Sequence, residues 1–139
     1  MHGLRPSPLA SGRAKRTLRS AMHGWARVVS RPEPELGLLD AGKRDLPLDA
    51  GLPVPQRFAG ESWDVSIAEL GKACCRPLDS QHAYLRLPGS TTDALLVGTV
   101  VRLGPSDPCG AFDKWRLIPV VDDADAANPR IVEFIHTYF

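Results

Sequence analysis

The chain has 139 residues, which fits one domain with a core of its own. Hydrophobic residues make up 43% and charged residues 24%, so the composition is that of a globular chain rather than a disordered one. A net charge of +1 excludes any global pull toward nucleic acid or anionic membranes.

Thirteen prolines and twelve glycines favour short strands and turns over long helices. The three cysteines, Cys74, Cys75 and Cys109, form no disulfide framework, because they are odd in number and two are adjacent. No segment has the apolar h-region of a signal peptide, and none approaches the ~18 apolar residues of a membrane span. A reducing cytoplasm is therefore the expected location.

Residues 1–31 carry seven Arg and Lys and no acid. Gly3, Pro6, Pro8 and Gly12 break up the first dozen positions. Residues 1–24 read as a basic, flexible leader, poorly ordered or partly helical, ahead of a domain at 25–139. Leu18, Met22, Trp25 and Val29 follow helical spacing, while "WARVVS" equally begins a strand. A basic amphipathic segment can meet nucleic acid. Only charge supports that here, and a solvated leader is expected instead.

Pro32 and Pro34 bar a helix in the next stretch. "ELGLLDAG" reads as a short buried strand stopped by Gly42. "DAG" occurs twice, at Asp40-Ala41-Gly42 and Asp49-Ala50-Gly51, too close together for an architectural repeat. Two turns, each able to place Gly at positive φ, fit better. "KRDLPLD" between them alternates loosely and suits an edge strand. "SWDVSIAELGKACC" mixes signals and reads as a strand with an irregular end.

In "QHAYLRL", His82, Tyr84 and Arg86 share one face and Ala83, Leu85 and Leu87 the other, as in a half-buried strand. "LLVGTVVRLG" is a strand region interrupted by Gly98. "KWRLIPVV" is a further strand, "ADAANP" a polar linker, and "RIVEFIHTYF" an alternating β segment. The expected fold is mainly β, a small β-barrel or sandwich-like domain of short antiparallel strands.

Asp107 and Cys109 stand two residues apart in a turn, "SDPCGAFDKW". In an extended segment, i and i+2 lie on one face. A carboxylate and a thiolate there can share a divalent ion, since zinc accepts both. Two ligands are too few for a closed structural site, but they suit an ion whose other positions go to water, substrate or a third side chain. On spacing alone, a structural cysteine beside a turn aspartate is the commoner arrangement. A lone strand histidine such as His82 is likewise more often a surface or core residue than a ligand. Cys74 and Cys75 read as two plain thiols, because adjacent cysteines bridge only with strain. Phe112 and Trp115 read as core aromatics flanking a solvated Lys114. No phosphate-binding glycine loop, H-E-x-x-H pair or G-x-S-x-G elbow is present.

Three blocks in order, "WARVVSRPEPELGLLDAGKRDLPLDAGLPVP", "DSQHAYLRL" and "VGTVVRLGPSDPCGAFDKWRLIPVVDD", resemble the carboxy-terminal part of the D-serine dehydratase-like family. That family includes D-threonine aldolases and bacterial amino acid deaminases. The resemblance implies a fold-type III enzyme using pyridoxal phosphate (PLP), held by a lysine of an amino-terminal (β/α)8 barrel. The carboxy-terminal β domain completes the active site and supplies metal ligands, typically a histidine and, two residues later, a cysteine or aspartate. Carried over, Cys109 falls on the cysteine ligand, and Asp107 stands where the histidine would be. The ion implied is zinc or manganese. His82 matches a histidine near the active site and takes a substrate-side role. The turn with Lys43 is cofactor-adjacent and is not the PLP-binding lysine.

A (β/α)8 barrel needs about 250 residues, and no segment of that length precedes Trp25. The expectation is a fragment, a truncated frame or a freestanding β domain, inactive without a partner barrel. Its substrate would be a D-3-hydroxy amino acid. The alternative is a degenerate, non-catalytic β interaction module that associates with itself through an exposed apolar face.

Overall fold

The computed structural model describes residues 20–59, 74–76, 79–89, 93, 95–126 and 128–138. The leader up to residue 19 and most of "SWDVSIAELGKA" lie outside the described residues. Among the described residues there are eight strands and one short helix: β1 (Gly24–Glu33), β2 (Leu36–Leu39), β3 (Val54–Ala59), β4 (Cys74–Arg76), β5 (Ala83–Arg86), β6 (Val100–Gly104), α1 (Cys109–Lys114), β7 (Leu117–Val121) and β8 (Ile131–His136). The ambiguous segment at Trp25 to Val29 is thus a strand.

Six strands form one sheet in the order β3-β6-β1-β2-β5-β4, and β7 and β8 form a separate hairpin. Every pairing is antiparallel. The two edge strands β3 and β4 approach each other, so the sheet curls toward a barrel. The expected mainly-β class holds, in its barrel-like form.

Period-two alternation explains the interior. In β1, Ala26 and Val28 are buried while Trp25, Arg27 and Val29 are exposed. In β5, Ala83 and Leu85 point inward, and Leu87 continues the row. Leu39, Phe58, Val101 and Leu103 complete the same core. Burial of such side chains contributes about 1.5–3 kcal/mol each relative to exposure. β6 runs between β1 and β3, and its Arg102 is buried on the face opposite Val101 and Leu103.

One expectation needs correction, and two are narrowed. "KRDLPLD" is no edge strand. Lys43, Arg44 and Asp45 form a turn, and Leu46 and Pro47 are buried beneath it. "LLVGTVVRLG" begins as a strand only at Val100, because Gly98 sits at φ +97° in a turn. β8 is a strand, but its alternation buries neither face. All six of its residues are exposed, among them Val132 at 62% and Phe134 at 49%.

The hairpin lies over the outer face of the sheet and leaves a cleft of about 1290 Å³, with His23, Trp25, Gln56, Arg102, Trp115 and Ile135 among its walls. His23 Nδ1 and Gln56 Oε1 are 2.9 Å apart. No helix among the described residues is long and apolar enough to cross a membrane.

Two predictions follow from this packing. A Cβ on Gly42 would stand 2.5 Å from the Asp79 carbonyl oxygen and 2.6 Å from the backbone nitrogens of Gln81 and His82. Backbone cannot yield as a side chain does, so Gly42→Ala is expected to cost about 1–3 kcal/mol in urea unfolding. An unchanged midpoint would contradict the close approach. The second concerns His23. Burial first, and the Arg102 charge second, lower its pKa below the ordinary 6.5, against the opposing hydrogen bond with Gln56. The unfolded chain therefore binds this proton more readily than the folded one. Its contribution is complete above pH 6.5 and is lost as pH falls through the lower folded value. Unfolding midpoints at pH 7.5 and 5.5 should differ less in His23→Asn than in the natural chain. Equal differences would refute the assignment.

Candidate functional site

The site is built from two turns and the segments they hold. The first DAG turn leaves the end of β2. Asp40 returns to β1, where its Oδ1 accepts the Arg27 N–H at 2.6 Å and its own N–H donates to the Arg27 carbonyl at 3.0 Å. The Gly42 N–H donates to Asp45 Oδ2 at 2.8 Å, and the Gly42 carbonyl accepts from the N–H groups of Asp45 and Leu46. This closes a tight turn of the kind Asp and Gly favour. With no side chain at Gly42, the loop before β5 lies flat on the turn. The Lys43 N–H donates to the Asp79 carbonyl at 2.9 Å, and the Arg44 N–H to the Ser80 carbonyl at 3.1 Å.

The segment after β6 docks on both DAG turns. Ser106 Oγ donates to the Gly51 carbonyl at 2.5 Å, and Gly51 adopts φ +134°, a conformation that favours glycine. Asp107 Oδ1 then accepts the Cys109 N–H at 3.0 Å, and Cys109 opens helix α1. At the other end of α1, Lys114 Nζ donates to the Lys43 carbonyl at 3.0 Å and Trp115 Nε1 to the Asp45 carbonyl at 2.5 Å. The second DAG turn thus holds the start of "SDPCGAFDKW", and the first holds its end.

Asp107 is half-buried and Cys109 is exposed. The segment between them is not extended. Asp107 turns back on the Cys109 amide, which corrects the premise that alternation sets both side chains on one face. Asp107 Oδ2 is left for another partner. Gly110 packs between carboxylates: a Cβ there would stand 3.2 Å from Asp49 Oδ2 and 3.8 Å from Asp107 Oδ2. His82 is half-buried just before β5, and its carbonyl accepts the Asp79 N–H at 2.9 Å. Among the described residues, no group of three or more His, Cys, Asp or Glu side chains gathers as a metal site. His82 therefore shares the first turn's neighbourhood but does not join Asp107 and Cys109 as a third ligand. Cys75 is buried on β4.

The sequence reading missed Ser106, Asp45 and Asp49 as parts of the site, and it took Lys114 for a solvated charge. Lys114 in fact ties α1 to the first turn. Phe112 is exposed at 36%, so only Trp115 of the two aromatics packs on the core. The recurring DAG was the available signal, but its partners in 106–115 lie more than fifty positions away in the chain.

Residues 21–121 match the family described as "Putative serine dehydratase domain". The chain belongs to that family. The match covers both DAG turns, His82, the Asp107–Cys109 segment and β7. Among solved structures, the chain is similar to the D-threonine aldolase of Filomicrobium marinum, with a TM-score of 0.66 and 22% sequence identity over 88% of this chain. That likeness is one of fold. The chain spans 29% of the length of that aldolase chain. Among curated proteins, none matches.

Trp115 gives a direct test of the assembly. Trp115→Phe keeps the ring and removes the indole N–H. It should lower stability by about 1 kcal/mol and speed amide exchange at residues 43–46. Unchanged exchange there would show that the docking of α1 does not depend on this bond.

Proposed function

We propose that the chain is the metal-bearing carboxy-terminal part of a PLP-dependent lyase acting on D-3-hydroxy amino acids. The observation that carries this reading is the family match across residues 21–121, which includes a carboxylate and a thiol two residues apart on a segment docked at both ends. The lysine that holds PLP belongs to a (β/α)8 barrel, on the same polypeptide or on another, and this segment alone is expected to be inactive.

The donor set of Asp107 and Cys109 suits half of a divalent-ion site. Cys109 is exposed, and Asp107 keeps Oδ2 when Oδ1 takes the Cys109 amide. Zinc accepts both donors, and the carboxylate also suits manganese. The remaining positions fall to water, to substrate or to the barrel. The chemistry such an ion supplies is Lewis-acid assistance at the substrate β-hydroxyl. PLP, when bound, supplies electron withdrawal from the amino acid's α-carbon. The part of this chain is to fix the two donors: Ser106 anchors the segment before them and Trp115 the segment after. His82, on the loop packed against the first turn, is placed on the substrate side. A free, exposed thiol at Cys109 is most readily kept in a reducing compartment, in keeping with the cytoplasm.

A second reading, a non-catalytic interaction module, draws on the exposed apolar residues of β8. Two measurements separate the readings. After purification without chelator, the natural chain should retain zinc or manganese, Cys109→Ser should lose it, and Asp107→His should shift the preference toward zinc. Addition of the chain to a PLP-bearing barrel of a family member should raise pyruvate and ammonia production from D-serine. A metal-free natural chain would overturn the ion site. No gain in rate would overturn the lyase reading, and concentration-dependent sedimentation without activity would favour the module.

A further inference from the structure

We propose that the β7–β8 hairpin is a hinged arm whose tip is latched to the sheet by Asp125 seated on Arg57 and Arg102. The inference does not rest on the lyase reading. The family match ends at residue 121, before Ala124 and Asp125, although Arg57 and Arg102 lie within it.

Arg57 on β3 and Arg102 on β6 are direct partners across the antiparallel pair. Like charges set opposite one another are destabilising unless a counter-charge joins them. The turn after β7 supplies it. Arg102 Nη1 donates to Asp125 Oδ1 at 2.7 Å and to the Ala124 carbonyl at 2.9 Å, and Arg57 Nη1 donates to the Asp125 carbonyl at 2.6 Å. The side chain of Arg102 is only 8% exposed, and the turn covers it on the face away from the core. A cation that deep requires its partner.

The base of the arm is fixed separately. Thr137 Oγ1 donates to the Trp115 carbonyl at 2.6 Å and the Thr137 N–H to the Arg116 carbonyl at 3.1 Å, which cross-ties the two ends of the hairpin. Trp115 is itself anchored through its indole to Asp45. Between base and tip, neither β7 nor β8 pairs with a strand of the larger sheet, and the cleft of about 1290 Å³ intervenes. The arm is cohesive in its own right. Asp122 accepts from Arg130 Nε at 3.1 Å and from the Arg130 N–H at 3.0 Å, and Asp123 Oδ1 accepts the Asp125 N–H at 2.9 Å. Release at the tip would therefore swing the hairpin about Trp115 and Arg116 as a unit. Ile118, half-buried on the cleft wall, would open further to solvent. The Asp125 side chain is 40% exposed, so salt and competing anions can reach the latch.

Hydrogen exchange read by mass spectrometry on the full chain tests this at constant pH. In Asp125→Asn, peptides within 117–136 should exchange about tenfold faster, with those of 24–39 unchanged, because a partner of a buried charge is weakened at one end only. High salt should move the natural chain in the same direction, and Asp113→Asn on the surface of α1 should not. If Asp125→Asn fails to fold, Arg57→Gln decides, since it removes one donor without stranding the buried Arg102. Selective acceleration of 117–136 supports the latch. Unchanged exchange there, or equal acceleration in 24–39, overturns it.

Discussion

The docking of residues 106–115 onto the double turn at 40–51 is the constraint on which the site depends. It needs a left-handed glycine at Gly51 whose carbonyl accepts from Ser106, the Lys114 ammonium on the Lys43 carbonyl, and the indole of Trp115 reaching the Asp45 carbonyl. Each part is modest, since an ordinary hydrogen bond adds about 0.5–1.5 kcal/mol. Together they join pieces of chain that are far apart in sequence at one end of the curled sheet. The core supplies the platform and the turns supply the register. A segment anchored only through β6 would carry Asp107 and Cys109 on a free loop, and two donors on a free loop lose entropy when they bind an ion.

The strands show why some of this architecture was legible in the sequence and some was not. "QHAYLRL" was read correctly because one face of β5 is buried and the other open, so polarity alternates with the pleat. β1 carries the same alternation, but its Trp25 and Val29 are apolar and exposed, which admitted helical spacing as well. "KRDLPLD" alternates for a different reason. Leu46 and Leu48 fill the space under a turn rather than one face of a strand.

The candidate site divides along the same line. Its residue types are local and visible: the two DAG turns, the D-x-C pair and the aromatic end of the segment. Its pairings are not. Lys43 to Lys114 and Asp45 to Trp115 are each about seventy positions apart. A side chain's partner at that range is decided by topology, which periodicity does not carry. Lys114 illustrates the cost. Read by itself it is a solvated charge, while in the fold its ammonium caps a carbonyl of the first turn. The same holds for Asp107, whose turn back onto the Cys109 amide replaces extended geometry with the start of a helix.

On the proposed reading, the chemical consequence of Asp107 lies in charge. An imidazole is a neutral ligand, whereas a carboxylate adds a negative charge to the ion's first shell. The Asp49 carboxylate packs against the same Gly110 and deepens the negative field. A divalent ion so placed is held more by Coulomb attraction and polarises its remaining ligand less. Such a pair would thus trade Lewis acidity for electrostatic retention. The Asp49 and Asp107 carboxylates lie about the same Gly110 because the double turn brings residue 49 beside residue 107, so the charge around the pair is itself a product of how 106–115 docks.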